Sequence, residues 1–315
     1  MTDTYKPTIM FMGTPDFARV QLEALCGAGY EIKAVITQPD KPKGRGKRLA
    51  MSPVKEYALE KGLAVYQPST LRGDEFAALL READPEMIVV AAFGKILPDS
   101  VLSYPKYGCV NVHGSLLPKY RGAAPIQRAI MDGEPETGIT TMLMDSGVDT
   151  GDILLKESVK ITPDDDYGSL SARLSDVGGA LLLRTIEGLV SGDVKPEKQD
   201  SSYATYAAKI EKADCVIDFT LPADMLANKI RALSPEPLAV TSVRGNQVKV
   251  ASAVISDEEH DSAPGTVVSV KNGITIACGS GSLKLTEIIP AGKSRMTAAA
   301  FVNGRQCAEG DVFGG

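Results

Sequence analysis

The sequence predicts an α/β fold in its first part and a separate β-rich domain behind it. Three observations predict this. Short apolar runs alternate with amphipathic stretches through the first half, the pattern of a mostly parallel sheet covered on both faces. After residue 208 the texture changes to short β-rich runs separated by Gly, Asn and Pro, the signature of a small barrel or sandwich. And 315 residues are long for one domain.

The elements follow in order. TIMFMG (Thr8–Gly13) reads as a buried strand and TPDFARVQLEAL as the helix after it. Thr14 is placed to cap that helix, Pro15 suits its first turn, Asp16 complements its dipole, and Phe17, Val20, Leu22 and Leu25 give it an apolar side. EIKAVIT (Glu31–Thr37) is the next strand. Ser52-Pro53 opens a second helix that Gly62 closes. AVYQ, a helix near Glu75–Ala83, the strand MIVVAA and the strand CVNVH (Cys109–His113) follow. Then come a helix over APIQRAIMD, strands over ITTMLMD and ILLKESV, and a long helix over about Tyr167–Leu189. The polar, Pro- and Gly-bearing stretch Ser191–Ala207 reads as a linker. Beyond it LAVTSV, QVKVASAVIS, GTVVSV, GITIACG and SLKLTEII are the β-rich runs.

Composition excludes several classes. Five scattered cysteines without a CxxC or a Cys/His cluster read as reduced thiols in a cytosol, not as a disulfide frame or zinc site. MTDTYKPTIMFMG has an early Asp and no long apolar region, so a targeting peptide is not expected, and MIVVAAF is too short to span a bilayer. The net charge of −6 predicts solubility and leaves room for a nucleic-acid partner, which needs only a local basic patch. FMGTPDF lies where a dinucleotide fold places its phosphate turn, but only Gly13 of G-x-G-x-x-G is present. A nicotinamide-dependent dehydrogenase is therefore a poor reading, although a helix N-terminus there still suits an anion.

The chain has two histidines, and one of them, His113, stands in NVHGSLLPKYRG. Residues two apart in a strand share a face, so Asn111 and His113 point the same way at a strand end, where open α/β sheets bind ligands. Alone, an Asn-x-His pair is an ordinary polar strand end. Two features shift that reading. His-Gly-Ser-Leu-Leu-Pro continues as an irregular apolar loop suited to a binding wall. MDSGVDTGDI brings Asp145, Asp149 and Asp152 among glycines, from which a carboxylate can orient or charge the imidazole. Amide donor, imidazole and carboxylate together suit acyl transfer, with the amide steadying a developing oxyanion. Without a G-x-S-x-G elbow, direct attack by the substrate is expected, not a covalent enzyme intermediate.

KPKGRGKR (Lys41–Arg48) packs five positive side chains into eight residues around Gly44 and Gly46. A bare charge run is usually a solvated loop. This one follows the second strand, on the same sheet edge as His113, where a mobile cationic loop grips phosphates near the reacting group.

NVHGSLLPKYRGAAPIQRAI together with MDSGVDTGDI resembles the signature of the 10-formyltetrahydrofolate-dependent formyltransferases. GTPDFA, TQPDKPKGRGKRL and SPVKEYA are most similar to those members that act on initiator methionyl-tRNA. The resemblance covers the first two-thirds of the chain through long motifs, and the last third in length and position. It implies a Rossmann-like catalytic domain over 1–190, a linker over 191–208 and an OB-like β-barrel over 209–315. It further implies transfer of a formyl group from 10-formyltetrahydrofolate to an amine, without a metal, by a monomer. Carried over by motif, Asn111, His113 and Asp149 match the catalytic Asn, His and Asp. Ser115, Leu116, Leu117 and Pro118 match a folate-contacting loop, with Phe93, Leu97 and Asp145 as further walls of the pterin pocket. In the family the basic loop meets the acceptor end of the tRNA, which makes Lys43, Arg45 and Lys47 expected tRNA contacts, Arg45 foremost because a guanidinium suits paired phosphate or base-edge bonds. Lys293, Arg295 and Arg305 are candidates for a basic patch on the barrel. Where relatives often carry a Trp-containing NPWP-like turn, this chain has RALSPEPLAV. His260, in an acidic polar loop, is given no role. The competing readings are the same chemistry on another amine, such as an amino sugar or glycinamide ribonucleotide, and an RNA-binding module without catalysis.

Overall fold

The computed structural model describes residues 5–43 and 48–314. It divides into two compact units. The first comprises residues 1–125, 137–160 and 171–208, and the second residues 126–136, 161–170 and 209–315.

The first unit is built on β1 (Ile9–Gly13), β2 (Ile32–Ile36), β3 (Val65–Tyr66), β4 (Met87–Ala91), β5 (Cys109–His113), β6 (Glu136–Leu143) and β7 (Ile153–Lys160). They form one seven-stranded sheet in the order β7-β6-β5-β4-β1-β2-β3. Strands β3, β2, β1, β4 and β5 run parallel, and β6 pairs antiparallel with β5. The residues of β1, β4 and β5 are all buried, as expected of strands covered on both faces. Its helices are α1 (Asp16–Gly27), α2 (Pro53–Glu60), α3 (Asp74–Ala83) and α4 (Asp99–Leu102), whereas α5 (Pro125–Met131) belongs after Pro125 to the second unit and α6 (Tyr167–Ser191) belongs to the first from Ser171 on.

Chain order reverses beside β1. The chain steps from β1 to β2 and β3 on one side, then returns to β4 and β5 on the other. That reversal opens a crevice outside the carboxyl ends of the strands, where α/β sheets bind ligands. Gly13 ends β1 there opposite Ala91 of β4. A Cβ on Gly13 would lie 2.6 Å from the Ala18 Cβ and 2.9 Å from the Ala91 carbonyl, so the tight turn into α1 needs glycine.

Two details of the helices differ from expectation. Thr14 does not cap α1. The N-cap is Pro15, without a side-chain cap bond, and Thr14 Oγ1 instead accepts from Gln38 N at 3.4 Å, tying the β1–α1 turn to the segment after β2. The buried stripe of α1 is Ala18, Gln21, Leu22 and Leu25, with Phe17 and Val20 half-buried. Gln21 is tolerated inside because its amide donates to the carbonyls of Phe17 and of Ser175 on α6. Ser52 caps α2 as its sequence requires, accepting from Lys55 N at 3.1 Å, and Gly62 follows the helix at φ +69°.

The second unit is a curled antiparallel sheet, β8 (Ala239–Val243), β9 (Asn246–Ser256), β10 (Val267–Ser269), β11 (Ile274–Ala277) and β12 (Ser282–Pro290), in the order β8-β9-β12-β11-β10. Register shifts near Ser252 bend the long β9. Val312 bridges to Thr266, just before β10, and Phe313 bridges to Val243 of β8, so the last residues tie the two sheet edges together. Such closure is how small barrels dispose of exposed edges. Leu226, Ile230 and Leu233 of α7 (Ala223–Leu233) and Phe301 of α8 (Ala298–Asn303) fill the core. The RALSPEPLAV stretch is the connection from α7 to β8. Lys293 and Arg295 lie in the turn after β12, and Arg295 is ion-paired with Glu287, which removes part of the positive patch expected there.

Candidate active site at the carboxyl edge of the sheet

Strand β5 ends one strand away from the crevice and carries both Asn111 and His113 on one face. Both are nearly buried, at 8% and 6% exposure. His113 Nε2 lies 3.0 Å from the Tyr120 carbonyl oxygen. A carbonyl only accepts, so Nε2 carries its proton in either charge state and Nδ1 is the atom that gains or loses one. Asp149 Oδ2 stands 3.7 Å from that Nδ1. The same oxygen accepts the backbone N–H of Gly122 at 2.8 Å. Asp149 itself holds φ +53°, a left-handed conformation uncommon for a non-glycine residue.

Asn111 differs from its neighbours. Among the described residues no hydrogen bond engages its side-chain amide, and its polar atoms are not sealed from solvent. A nearly buried amide left without a protein partner is unusual, because folding normally pairs such groups. The arrangement is thus an open amide donor, an imidazole with one committed nitrogen, and a carboxylate beside the other nitrogen.

Residues 6–186 match the formyl transferase family and residues 209–306 match its C-terminal domain. The chain belongs to the formyl transferase family. A methionyl-tRNA formyltransferase from Lachnospira eligens is 47% identical over 97% of this chain and 99% of its own length. Two solved structures share the fold. HypX from Aquifex aeolicus, in complex with tetrahydrofolic acid, has a TM-score of 0.64 at 18% identity, over 96% of this chain and 47% of that one. An N-formyltransferase from Helicobacter canadensis, in complex with folinic acid and dTDP-3-aminofucose, has a TM-score of 0.66 at 20% identity, over 88% of this chain and 98% of that one. This formyl transferase therefore spans about half the length of HypX.

The loop Ser115–Pro118 follows His113 closely in the chain. Ser115 and Leu117 are fully buried and build the loop itself. The Ser115 hydroxyl donates to the Lys119 carbonyl at 2.6 Å, and Leu117 packs with Met142 and Ile153. Leu116 and Pro118 are the half-exposed members. Phe93 and Leu97 follow β4 and sit at 3% exposure in the core cluster that includes Met10, Met12 and Val90. Asp145 is exposed and accepts from Gly147 N and from the Thr150 hydroxyl, which shapes the turn leading to Asp149. Burial pushes the Cys109 thiol, at the start of β5, up to about 12, so this cysteine is inert packing.

Of the expected tRNA contacts, Arg45 and Lys47 lie outside the described residues. Lys43 is described through its backbone, ending the short strand Lys41–Lys43 that pairs antiparallel with Arg48–Ala50. The root of this hairpin is braced. Lys55 Nζ reaches Asp40 at 2.7 Å and Gln67 at 2.8 Å, and Gln67 returns bonds to Asp40 and to the Gln38 carbonyl. The Lys55 hydrogen bond, seconded by Gln67, holds the Asp40 carboxyl below its usual range. Gln38 then donates to the Phe93 carbonyl at 3.0 Å, joining the hairpin root to the turn after β4.

Sequence reasoning missed three residues of the site. Arg121, Gln199 and Thr205 surround the Tyr120 and Asp149 turns, and two of them lie in the stretch whose composition reads as a linker. Its only local signal is a pair of amide and hydroxyl side chains amid charged residues.

Proposed function

We propose that this formyl transferase moves the formyl group of 10-formyltetrahydrofolate to the α-amine of initiator methionyl-tRNA, with Asn111, His113 and Asp149 as its chemical groups. The observation that carries the reading is the open amide of Asn111, two residues from an imidazole whose Nε2 is committed and whose Nδ1 faces a carboxylate. The near-full-length relative named for this reaction supports the acceptor, and the tetrahydrofolic acid and folinic acid bound by the two structural neighbours support the donor.

Each residue has one task. The Asn111 N–H donates to the formyl oxygen, which gains negative charge as the amine attacks the formyl carbon. Such a donor contributes about 10²–10³ in rate. His113 Nδ1 takes the proton shed by the attacking nitrogen. Asp149 stands at ion-pair distance from the imidazolium so formed. The proton then passes to the leaving folate nitrogen as the carbon–nitrogen bond to the folate breaks. One C–N bond forms, one breaks, and one proton moves between the two nitrogens. Leu116, Pro118, Phe93 and Leu97 form the apolar wall that holds the folate ring, with Ser115, Leu117 and Asp145 fixing the loops around it. Lys43, Arg45 and Lys47 hold phosphates of the acceptor arm. The protein works as a cytoplasmic monomer. No helix among the described residues is long and apolar enough to cross a membrane.

The test supplies 10-formyltetrahydrofolate with, in turn, charged initiator tRNA, free methionine and a nucleotide-linked amino sugar. Formylation of the charged tRNA with kcat/KM at least about 100-fold above the others is expected, a gap of about 2.7 kcal/mol. Preference for either small amine overturns the assignment.

A further inference from the structure

Residues 199–207 fall between the two family matches, which end at 186 and resume at 209. They pack within the first unit. Gln199 Nε2 donates to two carbonyls of the Asp149 turn, Asp149 O at 2.9 Å and Gly151 O at 2.8 Å. Its Oε1 accepts twice from the guanidinium of Arg121, at 3.1 and 2.8 Å. Arg121 is only 3% exposed. Thr205 engages the other turn. Its Oγ1 accepts from Tyr120 N at 2.8 Å, and its carbonyl accepts from Arg121 N at 2.9 Å. Tyr120 is the residue whose carbonyl fixes His113 Nε2, and it too has a left-handed φ of +61°. Tyr206 and Ala207 then pair in parallel with Arg121 and Gly122. The approach is close enough that a Cβ on Gly122 would lie 2.6 Å from the Ala207 carbonyl.

We propose that Gln199 and Thr205 are positioning residues, the two ends of a clasp that holds the Asp149 turn and the Tyr120 turn so that carboxylate and imidazole face each other. The proposal rests on the functional reading of His113 and Asp149 above. Gln199 holds the carboxylate side through the Asp149 backbone, and Thr205 holds the imidazole side through Tyr120. Both turns store left-handed backbone at non-glycine residues, a conformation that persists only when its surroundings over-determine it. Arg121 links the ends, being bonded to Gln199 through its side chain and to Thr205 through its backbone. A buried guanidinium that donates to the neutral oxygens of Gln199 and Ser201 serves orientation, not a surface ion pair.

The experiment uses the full chain with Gln199→Met, which keeps length and neutrality but loses every hydrogen bond, and with Thr205→Val and Thr205→Ser. Two quantities are read on folded protein. One is the split of kcat against KM for formyl transfer. The other is the set of imidazole nitrogen resonances of His113, assigned against His260→Gln since the chain has two histidines. Gln199→Met should lower kcat by roughly 10–100-fold, the scale of an ångström of misplacement, with both KM values within about threefold. Thr205→Val should lower kcat by about tenfold and shift the His113 resonances, and Thr205→Ser should restore both. Unchanged kcat in Gln199→Met and Thr205→Val overturns the clasp. So does a fall in kcat that follows loss of folded protein while the His113 resonances stay in place. If charged tRNA is not formylated by the parent chain yet both variants move the His113 resonances, the functional reading fails and the clasp stands.

Discussion

Gly151→Ala is the substitution that the structure makes most quantitative. Gly151 follows the Asp149 turn, and its carbonyl is one of the two that Gln199 holds. A Cβ built there falls 1.7 Å from the Leu143 carbonyl oxygen and 2.9 Å from the carbon behind it. Ordinary contact begins at 3.4 Å, so one backbone must retreat by about 1.7 Å. Neither side yields cheaply. Leu143 is the last residue of β6 and pairs with Val110 of β5, next to Asn111. The Asp149 turn is the softer partner, and its movement carries the carboxylate away from His113. A misplacement of about 1 Å costs roughly 100-fold in rate, so kcat should fall at least that far, while overpacking costs about 1–3 kcal/mol of stability. The assay is formyl transfer to charged tRNA at saturating folate, alongside thermal melting. Gly27→Ala is the control, because nothing lies within 4 Å of its added carbon. A folded Gly151→Ala protein with kcat within about twofold of the parent refutes the reasoning that the Asp149 turn sets the rate.

Two further outcomes are expected. Neutralising Lys43, Arg45 and Lys47 together should raise KM for charged tRNA and flatten its salt dependence while leaving KM for folate alone, measured by initial rates across a salt series, since each lost phosphate contact removes about one unit of salt slope. In the second unit, Asp214 accepts from Glu211 N and from Arg128, both at 2.9 Å, and these bonds, the backbone one first, hold its carboxyl below the usual aspartate range. A lowered carboxyl contributes stability above the ordinary range and loses it as pH falls through the lowered value. Asp214→Ala should therefore cost about 1 kcal/mol at pH 7, and melting curves of the two proteins should converge below about pH 4.

The parts of the fold legible in the sequence were those set by local patterning. The unbroken apolar runs of β1 and β4 mark strands buried on both faces, and Ser52-Pro53 with Gly62 marks both ends of α2. The Asn111–His113 spacing placed two polar groups on one face before any neighbour was known. What stayed hidden depends on distant partners. Gln199 reaches carbonyls at Asp149 and Gly151, 50 and 48 residues away, and nothing in a polar, charged stretch signals that reach. Nothing beside Arg121 in the sequence signals that it is buried, with partners at Gln199 and Ser201. The sequence around Gly13 and Gly151 gives no sign of the distant backbone that a side chain at either position would strike. Thr14 had the chemistry of a cap, but Gln38 competes for its hydroxyl.

The central claim is that Asn111 lends its free amide to the formyl oxygen while the charge develops. Single-turnover transfer from 10-formyltetrahydrofolate to charged initiator tRNA, compared between the parent and a folded Asn111→Ala protein, tests it directly. The account predicts a rate lower by about 10²–10³ with substrate binding retained. An unchanged single-turnover rate in the folded variant would contradict it.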